Sequence, residues 1–201
     1  LLGSYEKTNY AVCSFGRTGA RRSKIERLEM VVYKERSALA IGLTRNTAVP
    51  VALVSTKTNF LTVAMIQCFS HDPQTIGIGI KRERYSHDLI AAEGGFVVYL
   101  VANDGAELLN AAGAVSGRDG DKFAALGLTA EPAESINSSL IAECHVNLEC
   151  RLIQQFEVAE RTWFVGQVLV VHQSMDWFAE RAMLYTGGVY HALGQIVGQR
   201  E

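Results

Sequence analysis

The sequence predicts a β-dominated barrel, on three observations. Residues Ala142–Leu152 alternate strictly, with Ala142, Cys144, Val146, Leu148, Cys150 and Leu152 against Glu143, His145, Asn147, Glu149 and Arg151. That period of two places one face on a core and the other toward water or a polar neighbour. Four further segments read as strands, while the helical signals are few and short. No alternation of strands with helices is long enough for a doubly wound sheet.

Taken in order, Val49–Ser55 is a valine-rich apolar run that reads as a buried strand. Thr75–Ile80 alternates isoleucine with glycine, which suits a strand that another group approaches closely. Ser86–Glu93 reads as a short helix. Ser86 is suited to its N-cap, Asp88 favours the first turn, and Gly94–Gly95 stops it. Phe96–Val101 is a strand, Ala106–Ala112 a second short helix, and Asp121–Leu126 one helical turn ended by Gly127. After Ala142–Leu152, the polar Gln154–Arg161 reads as a connection, and Trp163–His172 returns as the second arm of a hairpin.

At 201 residues and 48% hydrophobic, the chain is long enough for one sizeable core. Charge is uneven. Residues 1–36 carry eight Lys/Arg against four Asp/Glu, and residues 37–201 carry eleven against seventeen. The expected division is therefore a basic N-terminal extension over 1–36, either an arm for an anionic partner or a tail, and a barrel domain over 37–201. The net charge of −2 gives no reason to expect nucleic acid or an anionic membrane as partner. No stretch reaches the ~20 apolar residues of a membrane span, and Leu1–Met30 lacks the apolar region of a signal peptide. A cytoplasmic protein is expected.

Cys13, Cys68, Cys144 and Cys150 contain no CxxC pair. Cys144 and Cys150, six apart on one predicted strand, would lie ~20 Å apart, far beyond disulfide reach. Free thiols follow. His71, His87, His145, His172 and His191 are scattered, and none stands at zinc-ligand spacing with a cysteine. No dinucleotide GxGxxG, Walker loop, GxSxG elbow or HExxH pair occurs.

Two polar segments remain, each just after a strand. Ser55–Ala64 is dense in hydroxyls and amides, which suit either the edge of a planar heteroaromatic ring or a hydrogen-bonded turn. Lys81–His87 opens the predicted helix. Its free N–H groups, the Ser86 hydroxyl and the charge of Arg84 or Lys81 describe either a phosphate site or an exposed basic turn.

Together these segments resemble the flavin reductase-like family, in its flavoredoxin branch of FMN-binding split barrels. The resemblance rests on Pro50-Val51-Ala52-Leu53-Val54-Ser55-Thr56, then Asn59, Thr62 and Ala64, then Arg84-Tyr85-Ser86 with Leu89 and Ile90. It continues through Phe96-Val97-Val98, Ser116-Gly117-Arg118, Asp121-Lys122-Phe123, Leu148 with Cys150, and Phe164-Val165-Gly166-Gln167-Val168. It spans about Val49 to His172. The Thr56–Asn59 loop is shorter than in many members, and Leu184–His191 lacks the histidine that relatives often carry before the glycines.

The resemblance implies a mainly β split barrel of Greek-key type with a few short helices. It also implies a homodimer with FMN, or FAD, near the subunit interface. By the same likeness Ser55, Thr56, Asn59, Thr62, Val63 and Ala64 line the ring and ribityl chain, and Arg84, Ser86 and His87 hold the phosphate. Asp121-Lys122-Phe123 is either structural or close to the partner's flavin. The implied activity is hydride transfer from NAD(P)H to the flavin and onward to an acceptor such as a partner monooxygenase. The alternatives are a flavoredoxin-like electron carrier and a non-catalytic flavin-binding module. No side chain is assigned a catalytic role, because the flavin carries the redox chemistry.

Overall fold

A computed structural model describes residues 47–198. The expected extension over 1–36, its boundary at 37, and Cys13 lie outside the described residues. The chain runs β1 (Val49–Pro50), β2 (Ala52–Ser55), β3 (Phe60–Val63), β4 (Ile66–His71), β5 (Gln74–Lys81), α1 (Tyr85–Glu93), β6 (Gly95–Leu100) and α2 (Ala106–Ala114). It continues through α3 (Lys122–Ala125), β7 (Ala130–Pro132), β8 (Ser139–Ile141), β9 (Val146–Val158), β10 (Arg161–Gln173), a 3-10 turn at Ala179–Arg181, β11 (Met183–Thr186) and β12 (Val189–Ala192).

Seven strands form one sheet in the order β3-β2-β6-β9-β10-β5-β4, with every neighbouring pair antiparallel. Its edge strands β3 and β4 are consecutive in the chain, with only Ala64 and Met65 between them. Three residue steps reach at most ~11 Å, whereas the edges of a flat seven-stranded sheet lie ~29 Å apart. The sheet must therefore curl until its edges nearly meet. A hydrogen bond from Gly79 N–H to the Met65 carbonyl, 2.8 Å, carries the β4–β5 pairing one residue into the link. The result is a split barrel.

Curling gives the central strands two buried faces. Ala52, Val54, Phe96, Val98, Ile78, Ile80, Cys150 and Phe164 fill the barrel, and Ile90 of α1 joins them. Leu53, Val97 and Tyr99 face the other way, under Leu109 of α2, Phe123 of α3, Ile141 and Met183. Burial on both sides is why Val49–Ser55 and Phe96–Val101 read as continuous apolar runs rather than alternating ones. The small sheet β1-β11-β12 and the pair β7-β8 lie outside the main sheet.

Helix ends follow local chemistry. Gly94 takes the left-handed conformation (φ 70°) and its N–H returns to the Ile90 carbonyl. Asp121 caps α3, accepting from the N–H groups of Phe123 (2.9 Å) and Ala124 (3.2 Å). Ser86 departs from expectation. The helix starts one residue earlier with Arg84 at the N-cap, and the Ser86 hydroxyl turns inward to accept from Asn59.

The long hairpin corrects three further expectations. Residues 142–145 form a turn, and the strand begins at Val146. The supposedly polar face is sealed at Asn147 and Glu149, both buried. Burial pushes the Glu149 carboxyl up, but N–H groups of Glu134 and Ser135 (2.9 and 2.7 Å) and the His172 imidazole (2.8 Å) outweigh it and hold it below the usual range. The expected connection at Gln154–Arg161 is mostly strand, because Gln154, Gln155 and Glu157 are exposed side chains on paired backbone. Only Ala159 and Glu160 turn the chain.

The glycine-rich strands carry close approaches, as their spacing suggests. A Cβ on Gly77 would strike the Phe69 ring, and one on Gly166 would meet the Phe96 ring at 2.6 Å and Cys150 Cβ at 2.7 Å. Two opposite stability changes are expected in urea or thermal melts. Gly166→Ala destabilises by ~1–3 kcal/mol through overpacking. Ala159→Gly, at a position with φ 50°, stabilises by roughly 1 kcal/mol by relieving the left-handed cost of a Cβ.

Candidate functional site

At the seam of the barrel lies a cavity of about 300 Å³, lined by Leu61, Thr62, Val63, Ala64 and Met65 on one side and by Gly79, Ile80 and Lys81 of β5 on the other. Arg84, Arg161 and Tyr185 complete it. The lining holds three cations and, among the described residues, no carboxylate. It is an electropositive slot with an apolar wall, and the backbone of β3 forms part of its rim.

That backbone has a definite orientation. The Asn59 carbonyl turns toward β2 to accept from Thr56 N–H (2.8 Å), and the Phe60 carbonyl turns away, to Lys122. Alternation along the strand then turns the main chain of Thr62 outward, on the unpaired edge that faces the seam. Its side chain is committed elsewhere, since Thr62 Oγ1 donates to the Leu109 carbonyl of α2 at 2.6 Å.

The residues expected to bind separate into two groups of four, with one residue apart. Thr62, Val63, Ala64 and Arg84 converge on the cavity. Ser55, Thr56, Asn59 and Ser86 form a buried polar knot behind it. Ser55 Oγ meets the Tyr99 hydroxyl and donates to the Ser139 carbonyl (2.6 Å). Thr56 Oγ1 closes the turn against Asn59, taking its N–H and donating to its carbonyl, both at 3.2 Å. Asn59 Nδ2 donates to Ser86 Oγ at 2.6 Å. His87 stands apart, with Nδ1 against Asp88 (2.8 Å), Nε2 against Thr162 Oγ1 (2.9 Å) and its ring edge-on to Phe164. It bolts α1 to β10.

One end of the Asn59 amide is unfilled. Asn59 is 3% exposed, and its Oδ1 has no hydrogen-bond partner. It faces Gly117, where any Cβ would collide with that amide. Lys122 is similarly enclosed. Its ammonium donates to the carbonyls of Phe60 (2.7 Å) and Ala112 and sits over the Phe60 ring. Burial, and behind it the charge of Arg84, push its pKa down to about 8. Lys122 thus pins β3 to the end of α2, a structural role within this chain.

Sequence reasoning did not anticipate Arg161 or Tyr185 at the site. Arg161 arrives through the β10–β5 pairing, and Tyr185 through the pairing of β11 with β1. Neither position carries a local signal, since each depends on long-range register. His191 is exposed on β12 and does not line the cavity. Cys68, Cys144 and Cys150 are free thiols. No helix among the described residues is long and apolar enough to cross a membrane.

Comparison with known proteins gives the family. The model of the flavin reductase-like domain matches residues 44–194, so the chain belongs to that family. An uncharacterised protein of Archaeoglobus fulgidus is 35% identical over 115 residues, covering 57% of this chain and 65% of its own. The match therefore spans less than two thirds of that curated relative's length. Among solved structures, a flavoredoxin of Desulfovibrio vulgaris superposes with a TM-score of 0.72 at 22% identity, covering 82% of this chain and 97% of that one. An FMN-binding protein of Thermus thermophilus gives 0.71 at 21%, covering 85% and 100%. An NADH:FAD oxidoreductase of Streptomyces globisporus gives 0.66 at 20%, covering 74% and 88%. At these identities the structural likeness establishes the split-barrel fold.

The buried lysine has a pH signature. Its folded value lies near 8 and its ordinary value is 10.5, so between these the unfolded chain binds the extra proton. Stability contributed at this position therefore rises as pH climbs from about 8 toward 10.5. Melting temperatures of the wild type minus those of Lys122→Met should increase with pH across that window. A flat difference would remove the proton from the account.

Proposed function

From membership of the flavin reductase-like family, we propose that the chain binds one FMN per subunit at the barrel seam and serves as an NAD(P)H-dependent flavin reductase. The observation that carries this reading is the seam cavity, with Arg84 at the head of α1 on its wall and, among the described residues, no carboxylate in its lining. Such a lining suits a ligand with a planar, largely apolar body and a phosphate tail. Its volume, about 300 Å³, stands at the low end for a ligand pocket. The residues present fit the group.

When bound, FMN supplies the centre that takes up hydride and passes electrons on, so no side chain is required as a general base. The Arg84 side chain has no hydrogen bond or ion pair among the described residues and stands at the start of α1, where free N–H groups join it in holding the phosphate. The outward main chain of Thr62 offers hydrogen bonds to the ring edge, and Val63 and Ala64 supply apolar contact. Ile80 keeps that wall dry. Ser55, Thr56, Asn59, Ser86 and His87 act from behind by fixing the β2–β3 turn and the start of α1, and the unfilled end of Asn59 is the remaining polar group at hand. The proposal includes a homodimer and a cytoplasmic setting, the latter in keeping with the free thiols.

The likeness to a flavoredoxin supports a second reading, in which the bound flavin shuttles electrons to a protein partner. Steady-state oxidation of NADH or NADPH with added free FMN separates the two. Sustained turnover supports the reductase, and reduction of bound flavin without turnover supports the carrier.

Titration with FMN, followed by flavin fluorescence and calorimetry, is expected to give one site per chain. Arg84→Gln should weaken that binding about ten-fold or more, the worth of a charge-assisted phosphate contact. Absence of FMN binding by the wild type would end the proposal.

A further inference from the structure

Lys81 closes β5 and Arg161 opens β10, and the two are direct partners in the antiparallel register. Partners of this kind share a face, with Cα atoms about 5 Å apart, and both residues line the seam cavity. Like charges placed directly opposite one another destabilise a sheet. Among the described residues the two are answered by Glu83 and Glu160, both at the edge of solvent. Lys81 Nζ lies 3.6 Å from Glu83, whose side chain is 71% exposed, and Arg161 Nε lies 3.2 Å from Glu160, 59% exposed. Pairs so exposed offset little of the repulsion.

The Arg161 guanidinium is nonetheless held in place. Its Nη1 donates to the carbonyl of Gly79, itself part of the cavity wall, at 3.2 Å. Its Nη2 makes no hydrogen bond among the described residues. A fixed guanidinium with a free edge, beside an ammonium, is a fork and a point charge aimed at one place. The pair is distinct from Arg84, which stands beyond the turn at the head of α1. Three cations on one cavity exceed the need of a single phosphate monoester.

We propose that Lys81 and Arg161 form a second oxyanion subsite in the seam cavity, one that takes the diphosphate of a dinucleotide. This rests on the flavin reading for the role of Arg84. A diphosphate bridging the pair converts their mutual repulsion into two attractions, which is the physical reason such a placement persists. The diphosphate has two sources, a nicotinamide dinucleotide beside bound FMN, or FAD itself.

The test uses ADP-ribose, FMN and FAD as calorimetric ligands for the wild type, Lys81→Gln, Arg161→Gln and Arg161→Lys. ADP-ribose is titrated into protein with and without FMN. ADP-ribose affinity is expected to fall about ten-fold in Arg161→Gln and in Lys81→Gln. It should recover in part in Arg161→Lys, while FMN affinity stays within about two-fold. Binding of ADP-ribose to FMN-loaded protein assigns the subsite to the nicotinamide dinucleotide. Loss of FAD affinity alone, with FMN affinity kept, assigns it to FAD. Loss of FMN affinity in both Gln variants, to the degree seen in Arg84→Gln, would overturn the proposal by giving all three cations to one phosphate. So would unchanged binding of every ligand. Should FMN fail to bind while ADP-ribose binds in a Lys81- and Arg161-dependent way, the subsite stands and the flavin reading falls.

Discussion

Two residues, Ala64 and Met65, join strands that lie at opposite edges of a seven-stranded sheet. A link so short leaves the sheet no flat solution, and the barrel, its seam and the cavity at that seam all follow from it. Full hydrogen-bonded closure would remove both free edges. Here the β4–β5 ladder runs into the link, where Gly79 N–H meets the Met65 carbonyl, and among the described residues β3 keeps a single strand partner, β2. The unpaired rim of β3 is left facing a space that three cations share.

Behind that rim the structure commits polar groups to one another. Ser55 with Tyr99 and Ser139, Thr56 with Asn59, and Asn59 with Ser86 fix a tight turn and the head of α1 in a low-dielectric setting. Lys122 adds an ammonium that holds β3 against α2 from beneath. Buried groups of this kind are costly unless partnered, and once partnered they hold one geometry. The rim can thus be rigid where it is exposed because it is bonded where it is hidden. Asn59, with one amide end unfilled, is the place where this network is incomplete.

Electrostatics then divides the surface. Glutamates surround the hairpin tip near Lys81, Arg82 and Arg161, yet none among the described residues enters the cavity. Arg82 spends its charge on Glu157 at 2.8 Å, outside the site, while the Arg84 side chain makes no ion pair among the described residues. Exposed pairs trim the net charge without neutralising the slot, so an anion meets a positive field that the protein itself does not quench.

Strand identities and helix ends were legible in the sequence because they depend on neighbours in the chain. Alternation marked β9, valine runs marked β2 and β6, and Gly94 and Gly127 marked helix ends through local backbone chemistry. The family resemblance extended this to Thr62, Val63, Ala64 and Arg84. Composition misled where exposed polar side chains sat on paired backbone, as at Gln154–Val158, and where a residue suited to one local role was claimed by a distant partner, as Ser86 was by Asn59. The places of Arg161 and Tyr185, and the burial of Glu149 and Lys122, were decided only by tertiary structure. Each depends on which strand pairs with which and in what register, a long-range choice that side-chain spacing along one segment does not encode.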